Sequence, residues 1–297
     1  MSLAAIEHNL TQVSAEMNGG SFPDASSHFA FGENWASFAR VLDAAKISEA
    51  VHALSGLLQM ESIAGLSFLD IGSGSGLYSL AALLLGAAKV LALDVDPDSV
   101  STTRAVLSKH APFGAGYEVR HDSILSPALA INEPFDIVYS WGVLHHTGEM
   151  RAAISRAAQF VKPGGVFAFA LYRKTALCGL WRLEKRTYAK APLWLQSMIR
   201  GSYIALFRLG FLVRGRSFER YVAEYPRLRG MDFYHDVHDW LGGWPYESAS
   251  PTEVRQLMKT LGFTEVHSNV QQQLIGLFGS GCNEYVYRRN VNGEIRG

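Results

Sequence analysis

A chain of 297 residues with 48% apolar and 18% charged side chains has material for a large buried core, which excludes an intrinsically disordered or fibrous protein. Its two cysteines, Cys178 and Cys282, are too few for a disulfide framework and lack metal-ligand spacing, which favours a reducing compartment. The formal charge is zero, yet within residues 173–230 thirteen Lys or Arg stand against three acids, an asymmetry that points either to an anionic partner or to a basic cap on an acidic core.

In chain order, residues 1–20 have helix-like spacing but carry acids and amides where a secretory leader needs an unbroken apolar run, so no signal peptide is expected. Glycines and a proline break that pattern at residues 19–23. Phe29, Phe31, Trp35 and Phe38 follow on a polar background, and residues 44–60 read as an amphipathic helix. Residues 66–71 form a short apolar run that predicts a buried strand, and residues 77–86 predict a helix. Gly72, Gly74 and Gly76 therefore occupy the turn between them, where a backbone without Cβ atoms can approach a ligand. The next apolar run, 89–93, ends at Asp94, about 20 residues beyond the turn, where a nucleotide-binding fold presents a carboxylate to ribose hydroxyls.

Pro97 opens a helix reaching about His110. Strand signals recur at 117–120, 135–141 and 166–172, with a helix at 149–161 and a Lys162-Pro163-Gly164-Gly165 turn before the last. Strands alternating with helices predict a parallel, doubly wound α/β sheet, whose ligands lie beyond the strand C-termini. Asp70, Asp94, Asp122 and the Ser140-Trp141 pair all fall there. About 75 residues then intervene before Ser250-Pro251-Thr252-Glu253, which has the cap, proline and early acid of a helix start. Strands at 263–270 and 284–288 complete the sheet. The long apolar stretches 77–95 and 193–213 are interrupted by Lys89 and by Arg200 and Arg208, so neither reads as a membrane span.

The Asp70-x-Gly72-x-Gly74-x-Gly76 pattern resembles motif I of the class I S-adenosylmethionine (SAM)-dependent methyltransferases. The resemblance extends over roughly 110 residues: Asp94 matches the ribose-binding acid and Asp122 the acid facing the adenine amino group. Phe135 to His146 matches the fourth-strand motif, and Val161-Lys162-Pro163-Gly164-Gly165 the turn before strand five. Asp96 departs from the pattern, standing where serine is common, and His145 stands where members vary. The resemblance implies a seven-stranded Rossmann-like methyltransferase sheet with N-terminal helices and a helical insertion after strand five. Its divisions would be an N-terminal cover (1–60), a SAM-binding core (61–173), a cap over the active site (174–249) and the completion of the sheet (250–297). It implies cofactor contacts from Asp70, Gly72, Ser73, Gly74, Gly76, Asp94, Val95, Asp122, Ser123 and Ser140, with Trp35 and Arg40 added by the N-terminal cover and Arg40 meeting the cofactor carboxylate.

SAM carries a sulfonium whose methyl is open to in-line attack, so such an enzyme gains mainly by aligning the reactants and excluding water. A general base is needed only for an acceptor that is protonated at working pH. His145, His146 and Tyr172 are the candidates. Phe31, Trp141, Tyr234, His238, Trp240 and Tyr246 are expected to wall the acceptor pocket. His235, Asp236, His238 and Asp239 are potential metal ligands, but the surrounding aromatics and Gly-Gly-Trp-Pro turn fit an ordered loop better, and no metal is expected. Basic residues spread among aromatics at helical spacing favour a small-molecule or lipid-like acceptor over nucleic acid. The expected function is a cytoplasmic SAM-dependent methyltransferase acting on a small metabolite. Two alternatives remain: an enzyme cyclising SAM itself to azetidine-2-carboxylate and methylthioadenosine, and a non-catalytic SAM-binding protein.

Overall fold

Strands buried on both faces must be apolar throughout, and Val90-Leu91-Ala92-Leu93 is such a run, each residue at most 2% exposed. The computed structural model describes residues 31–229, 232–270 and 281–291; the helical spacing expected within residues 1–20, and Phe29, lie outside the described residues. The strands are β1 (Ser67–Ile71), β2 (Lys89–Asp94), β3 (Tyr117–His121), β4 (Phe135–Trp141), β5 (Val161–Tyr172), β6 (Phe263–Asn269) and β7 (Cys282–Arg289). They form one sheet in the order β3-β2-β1-β4-β5-β7-β6. The first five are parallel, and β7 runs antiparallel to both β5 and β6. This is the seven-stranded, doubly wound sheet that the sequence predicts.

Alternate residues of each strand enter opposite cores. Phe68, Val90, Ile137 and Tyr139 pack beneath α1 (Phe31–Arg40), α2 (Ala44–Leu58), α3 (Leu77–Leu84) and α4 (Pro97–His110). Leu69, Leu91, Val138 and Phe167 pack on the other face beneath α5 (Met150–Gln159) and a later helix, Pro251–Thr260. One boundary differs from the sequence reading. β5 begins at Val161, which pairs with Phe135, and the register then jumps so that Ile137 pairs with Val166. The Lys162-Pro163-Gly164-Gly165 turn is thus a bulge inside the strand, made where Pro163 has no N–H to give and Gly164 takes φ +79°.

Between β5 and Pro251 the chain folds as four helices, α6 (Cys178–Lys190), α7 (Leu193–Val213), α8 (Phe218–Arg229) and α9 (Phe233–Gly242), making Pro251–Thr260 α10. These four have an apolar core of their own, built on Tyr188, Phe218, Tyr225, Phe233, Val237 and Leu241. The insertion leaves and returns at one place. Arg173 and Ala249 form a parallel bridge, with Ala249 N–H donating to Tyr172 O and Lys174 N–H to Ala249 O. α10 starts with the expected capping box, Ser250 and Glu253 exchanging hydrogen bonds.

Candidate active site

The turn after β1 is built from residues that only glycine can supply. Gly72, Gly74 and Gly76 have φ of +78°, +54° and +75°. A Cβ on Gly72 would lie 2.3 Å from a Val143 methyl, and one on Gly76 would lie 2.9 Å from the Thr103 Cα. Gly72 N–H and Ser73 N–H donate to Leu93 O at 2.8 and 3.0 Å, tying the turn to the end of β2. Thr103 on α4 completes it, meeting the Ser73 hydroxyl at 3.0 Å and donating to Gly74 O at 3.1 Å.

Two carboxylates are buried beside this turn. Asp70 accepts from the Ser79 hydroxyl at 2.6 Å; burial, with Asp94 nearby, pushes its pKa up to about 7. Asp94 accepts from Gly74 N–H at 2.8 Å and Asp96 N–H at 3.0 Å, and burial raises its pKa to about 6. Among the described residues no Lys or Arg pairs with either acid. Each Asp94 oxygen accepts one backbone N–H, and a carboxylate has about four acceptor sites. The pair is therefore suited to a ligand that brings both hydroxyls and positive charge. Beyond the end of β4, Gly142 has φ +72° and a Cβ there would meet nothing within 4 Å. These residues fit a nucleoside cation such as SAM.

The other expected cofactor residues divide. Asp122 and Ser123 sit at the end of β3, where Asp122 N–H donates to Asp94 O and the Asp122 carboxylate accepts from Ser123 N–H at 2.8 Å. Val95 is 55% exposed, and its carbonyl meets His121 Nε2 at 2.9 Å. Ser140 is fully buried, its hydroxyl donating to Ile71 O at 3.0 Å, which ties β4 to β1.

α1 lies across the site. Gly32 N–H donates to Asp96 Oδ2 at 2.8 Å, and the Trp35 indole lies against Gly74, 3.0 Å from where a Cβ would be. The Asn34 amide donates to Asp239 Oδ1 at 2.7 Å and to His235 O at 3.2 Å, joining α1 to α9. Arg40 departs from expectation. It ends α1 exposed, in a groove with Thr102, Lys109 and His110 near the far end of α4. Eight residues of helix, roughly 12 Å, separate it from Gly32, which takes it away from any cofactor carboxylate at the glycine turn.

After β4, the short 3-10 helix Leu144–His146 delivers two histidines into different surroundings. His145 is fully buried and neither ring nitrogen makes a hydrogen bond of good geometry. Burial, with His146 and Lys185 adding to it, holds its pKa well below the usual histidine range. It is a neutral ring 3.9 Å from that of Tyr172, packed against it. His146 is half-buried, and its Nδ1 meets Pro245 O at 2.8 Å, so in the neutral ring Nδ1 carries the proton and Nε2 is the basic nitrogen. Gly243 is required beside it, because a Cβ there would strike His146 Cε1 at 2.6 Å. Phe31 lies 5.5 Å from the same ring. The geometry thus favours His146 over His145 as a proton acceptor.

Tyr172, Trp240 and Tyr246 do come together, Tyr172 lying 5.0 Å from Trp240 and 5.3 Å from Tyr246. Three other expected wall residues do not join them. Trp141 stacks on Tyr139 at 5.9 Å and on Tyr78, on the α3 side of the sheet. Tyr234 is 44% exposed on the outside of α9. His238 meets the Tyr188 hydroxyl at 2.7 Å within the helical insertion. A helix turns through 100° per residue, so the dense His-Asp-aromatic block at 234–240 could not all face one pocket. Its polar members meet separate neighbours: His235 meets Asp232 and Ser37, Asp236 accepts from Tyr225, and Asp239 accepts from Asn34. Among the described residues no three His, Cys, Asp or Glu side chains cluster as metal ligands.

Lys185 is the residue that sequence reading missed. It is fully buried, donates to Trp240 O, and its ammonium lies 3.5 Å from the Trp240 ring centroid, 5.8 Å from Tyr172 and 5.6 Å from Tyr246. Glu184 lies 3.9 Å away; burial pulls the lysine pKa down and pushes the glutamate up. In the sequence it is one basic residue of a Lys-Arg pair on an amphipathic helix, and only the packed aromatics distinguish it. A cavity of ≈ 730 Å³ adjoins this cluster at Tyr246, lined also by Met150, Cys178, Arg182 and Glu253, and no residue of the glycine turn borders it.

Residues 69–167 match a family described as a methyltransferase domain. The chain is 30% identical over 174 residues to the ubiquinone biosynthesis O-methyltransferase of Methylobacterium sp. (strain 4-46), covering 58% of this chain and 60% of that one. It is 31% identical over 113 residues to the ribosomal protein L11 methyltransferase of Azotobacter vinelandii (strain DJ / ATCC BAA-1303), covering 38% and 36%. The match therefore spans less than two thirds of either relative. Among solved structures, magnesium protoporphyrin IX methyltransferase from Synechocystis PCC 6803 aligns over 95% of this chain and 94% of that one, at 15% identity and a TM-score of 0.47.

Proposed function

We propose that this chain, whose residues 69–167 match a methyltransferase domain, is a class I SAM-dependent methyltransferase that binds SAM on the glycine turn and transfers its methyl group to a small acceptor beneath the helical insertion. The observation that carries this reading is the pair of buried acids, Asp70 and Asp94, beside a turn that tolerates only glycine. When bound, SAM supplies an electrophilic methyl on a cationic sulfur. Asp94 would hold the ribose hydroxyls, Asp122 the adenine side, and Asp70 with the backbone of Gly72 to Gly74 the amino-acid part. Trp35 and Phe31 would exclude water, which strengthens electrostatic interactions in the site. His146 Nε2 would take the proton from a hydroxyl or amine acceptor, and Tyr172, Trp240 and Tyr246 would wall the acceptor side.

The similarity to ubiquinone biosynthesis and ribosomal protein L11 methyltransferases supports methyl transfer as the reaction and leaves the acceptor to be found. The test is mass spectrometry of the purified protein incubated with SAM, with and without a metabolite extract. S-adenosylhomocysteine formed only with extract supports the reading, and His146→Gln then lowers kcat by roughly 10²-fold or more with SAM affinity kept. Methylthioadenosine from SAM alone would overturn methyl transfer in favour of cyclisation, and SAM binding without turnover in either arm would overturn catalysis.

A further inference from the structure

A helix with apolar side chains on two opposite faces needs cover on both, and α7 has one of those faces open. Its inward face, Ile199, Tyr203, Phe207 and Phe211, packs on the core of the insertion. On the opposite side Trp194, Met198, Gly201, Ala205, Leu209 and Leu212 follow one another at spacings of three and four, forming an uncharged stripe. Trp194 is 65% exposed, Met198 61%, Leu209 54% and Leu212 74%. On the neighbouring α6, Leu180 and Leu183 are likewise exposed, 58% and 63%. Contiguous exposed apolar area of this kind marks an interaction site.

Charge identifies the partner. Residues 182–216 contain eight Lys or Arg and a single acid, Glu184. Six of the cations are exposed: Arg182, Arg186, Lys190, Arg208, Arg214 and Arg216. Glu184 is half-buried beside Lys185 and Glu219 pairs with Arg208 at 3.6 Å, so these acids offset only part of the positive rim. An apolar stripe rimmed by cations is the pattern of a helix lying in the plane of an anionic bilayer, its apolar side chains among the acyl chains and its cations at the phosphates. A second copy of the chain would cover the leucines but bring two cationic rims together, which like-charge repulsion opposes. Among the described residues no helix is long and apolar enough to cross a membrane, so the contact is with the surface.

We propose that the outward face of α7 docks this protein on anionic lipid bilayers. The inference is independent of the transfer reaction, since docking is read without turnover. The test uses the full chain in co-sedimentation with phosphatidylcholine vesicles, with and without about one third phosphatidylglycerol, at about 0.1 M salt. The expected result is at least roughly ten-fold more bound protein on the anionic vesicles, reduced by high salt. A Leu209→Glu/Leu212→Glu variant is expected to lose about ten-fold in binding with an unchanged melting temperature, both side chains being exposed. Arg214→Glu/Arg216→Glu is expected to lose binding to anionic vesicles. Equal partition onto both vesicle types, or a leucine variant that binds like the parent, would overturn the proposal. So would a dimer in analytical ultracentrifugation that Leu209→Glu/Leu212→Glu dissolves while vesicles pellet no protein; the face would then belong to a second copy.

Discussion

Asp70 and Asp94 retain protons up to about pH 7 and pH 6, whereas an unburied aspartate loses its proton near 3.8. In the ligand-free protein these raised values give a stabilising contribution that is complete below 3.8 and lost as pH rises through 6 and 7. A cationic ligand favours the ionised carboxylates and reverses that preference. Binding of SAM is therefore expected to release protons, and affinity to fall as pH drops through about 7 and then about 6. Calorimetry in two buffers of different ionisation enthalpy measures the release, and Asp70→Asn removes the upper step. Affinity that is flat across this window would mean that the cation lies elsewhere. The acids themselves were legible, since each ends a strand whose apolar pattern is unambiguous. That no Lys or Arg pairs with them among the described residues was not, because it depends on what each neighbouring element leaves out.

Helix α1 touches the start of α4, the glycine turn, α9 and the 3-10 helix, and the residue that departs from the family pattern makes the first of these contacts. Asp96 divides its carboxylate: Oδ1 caps α4 by accepting from Asp98 N–H and Ser99 N–H, and Oδ2 accepts from Gly32 N–H. A serine has one oxygen for the two tasks. Asp96→Ser is thus expected to keep the cap and release α1, while Asp96→Ala loses both and costs roughly 1 kcal/mol in stability. Hydrogen exchange along α1, set beside the melting temperature, separates the two effects. Retained protection of α1 amides in Asp96→Ser would show that Trp35 and Asn34 suffice. The family resemblance implied a cover carrying Trp35, with Phe31 on the acceptor wall; Trp35 lies against Gly74 and Phe31 beside the His146 ring. It misassigned Arg40, because the direction in which α1 runs along α4 is a tertiary property that no local pattern encodes.

At the scale of the molecule, the alternation of strands and helices could be read from period and turn chemistry, and the helical insertion after strand five followed from the family resemblance, whereas the bulged start of β5 could not be read. The interior of the insertion could not. Tyr234, His238 and Trp240 are neighbours in the chain but face an outer surface, an internal hydroxyl and the core respectively. The join between insertion and sheet centres on Lys185, with Tyr172 of β5 on one side and Trp240 of α9 on the other. Lys185→Ala would leave Glu184 buried without it, at an expected cost of about 3–5 kcal/mol in urea denaturation; Lys185→Met, which keeps the apolar stem, should cost less. The bridge between Arg173 and Ala249 carries a different consequence. Paired backbones lie about 5 Å apart, so the excursion between them is closed at its root like the handle of a cup. Shortening or exchanging that handle alters what the protein grips without asking any strand to move, and a lineage of such chains can change partners while keeping one sheet.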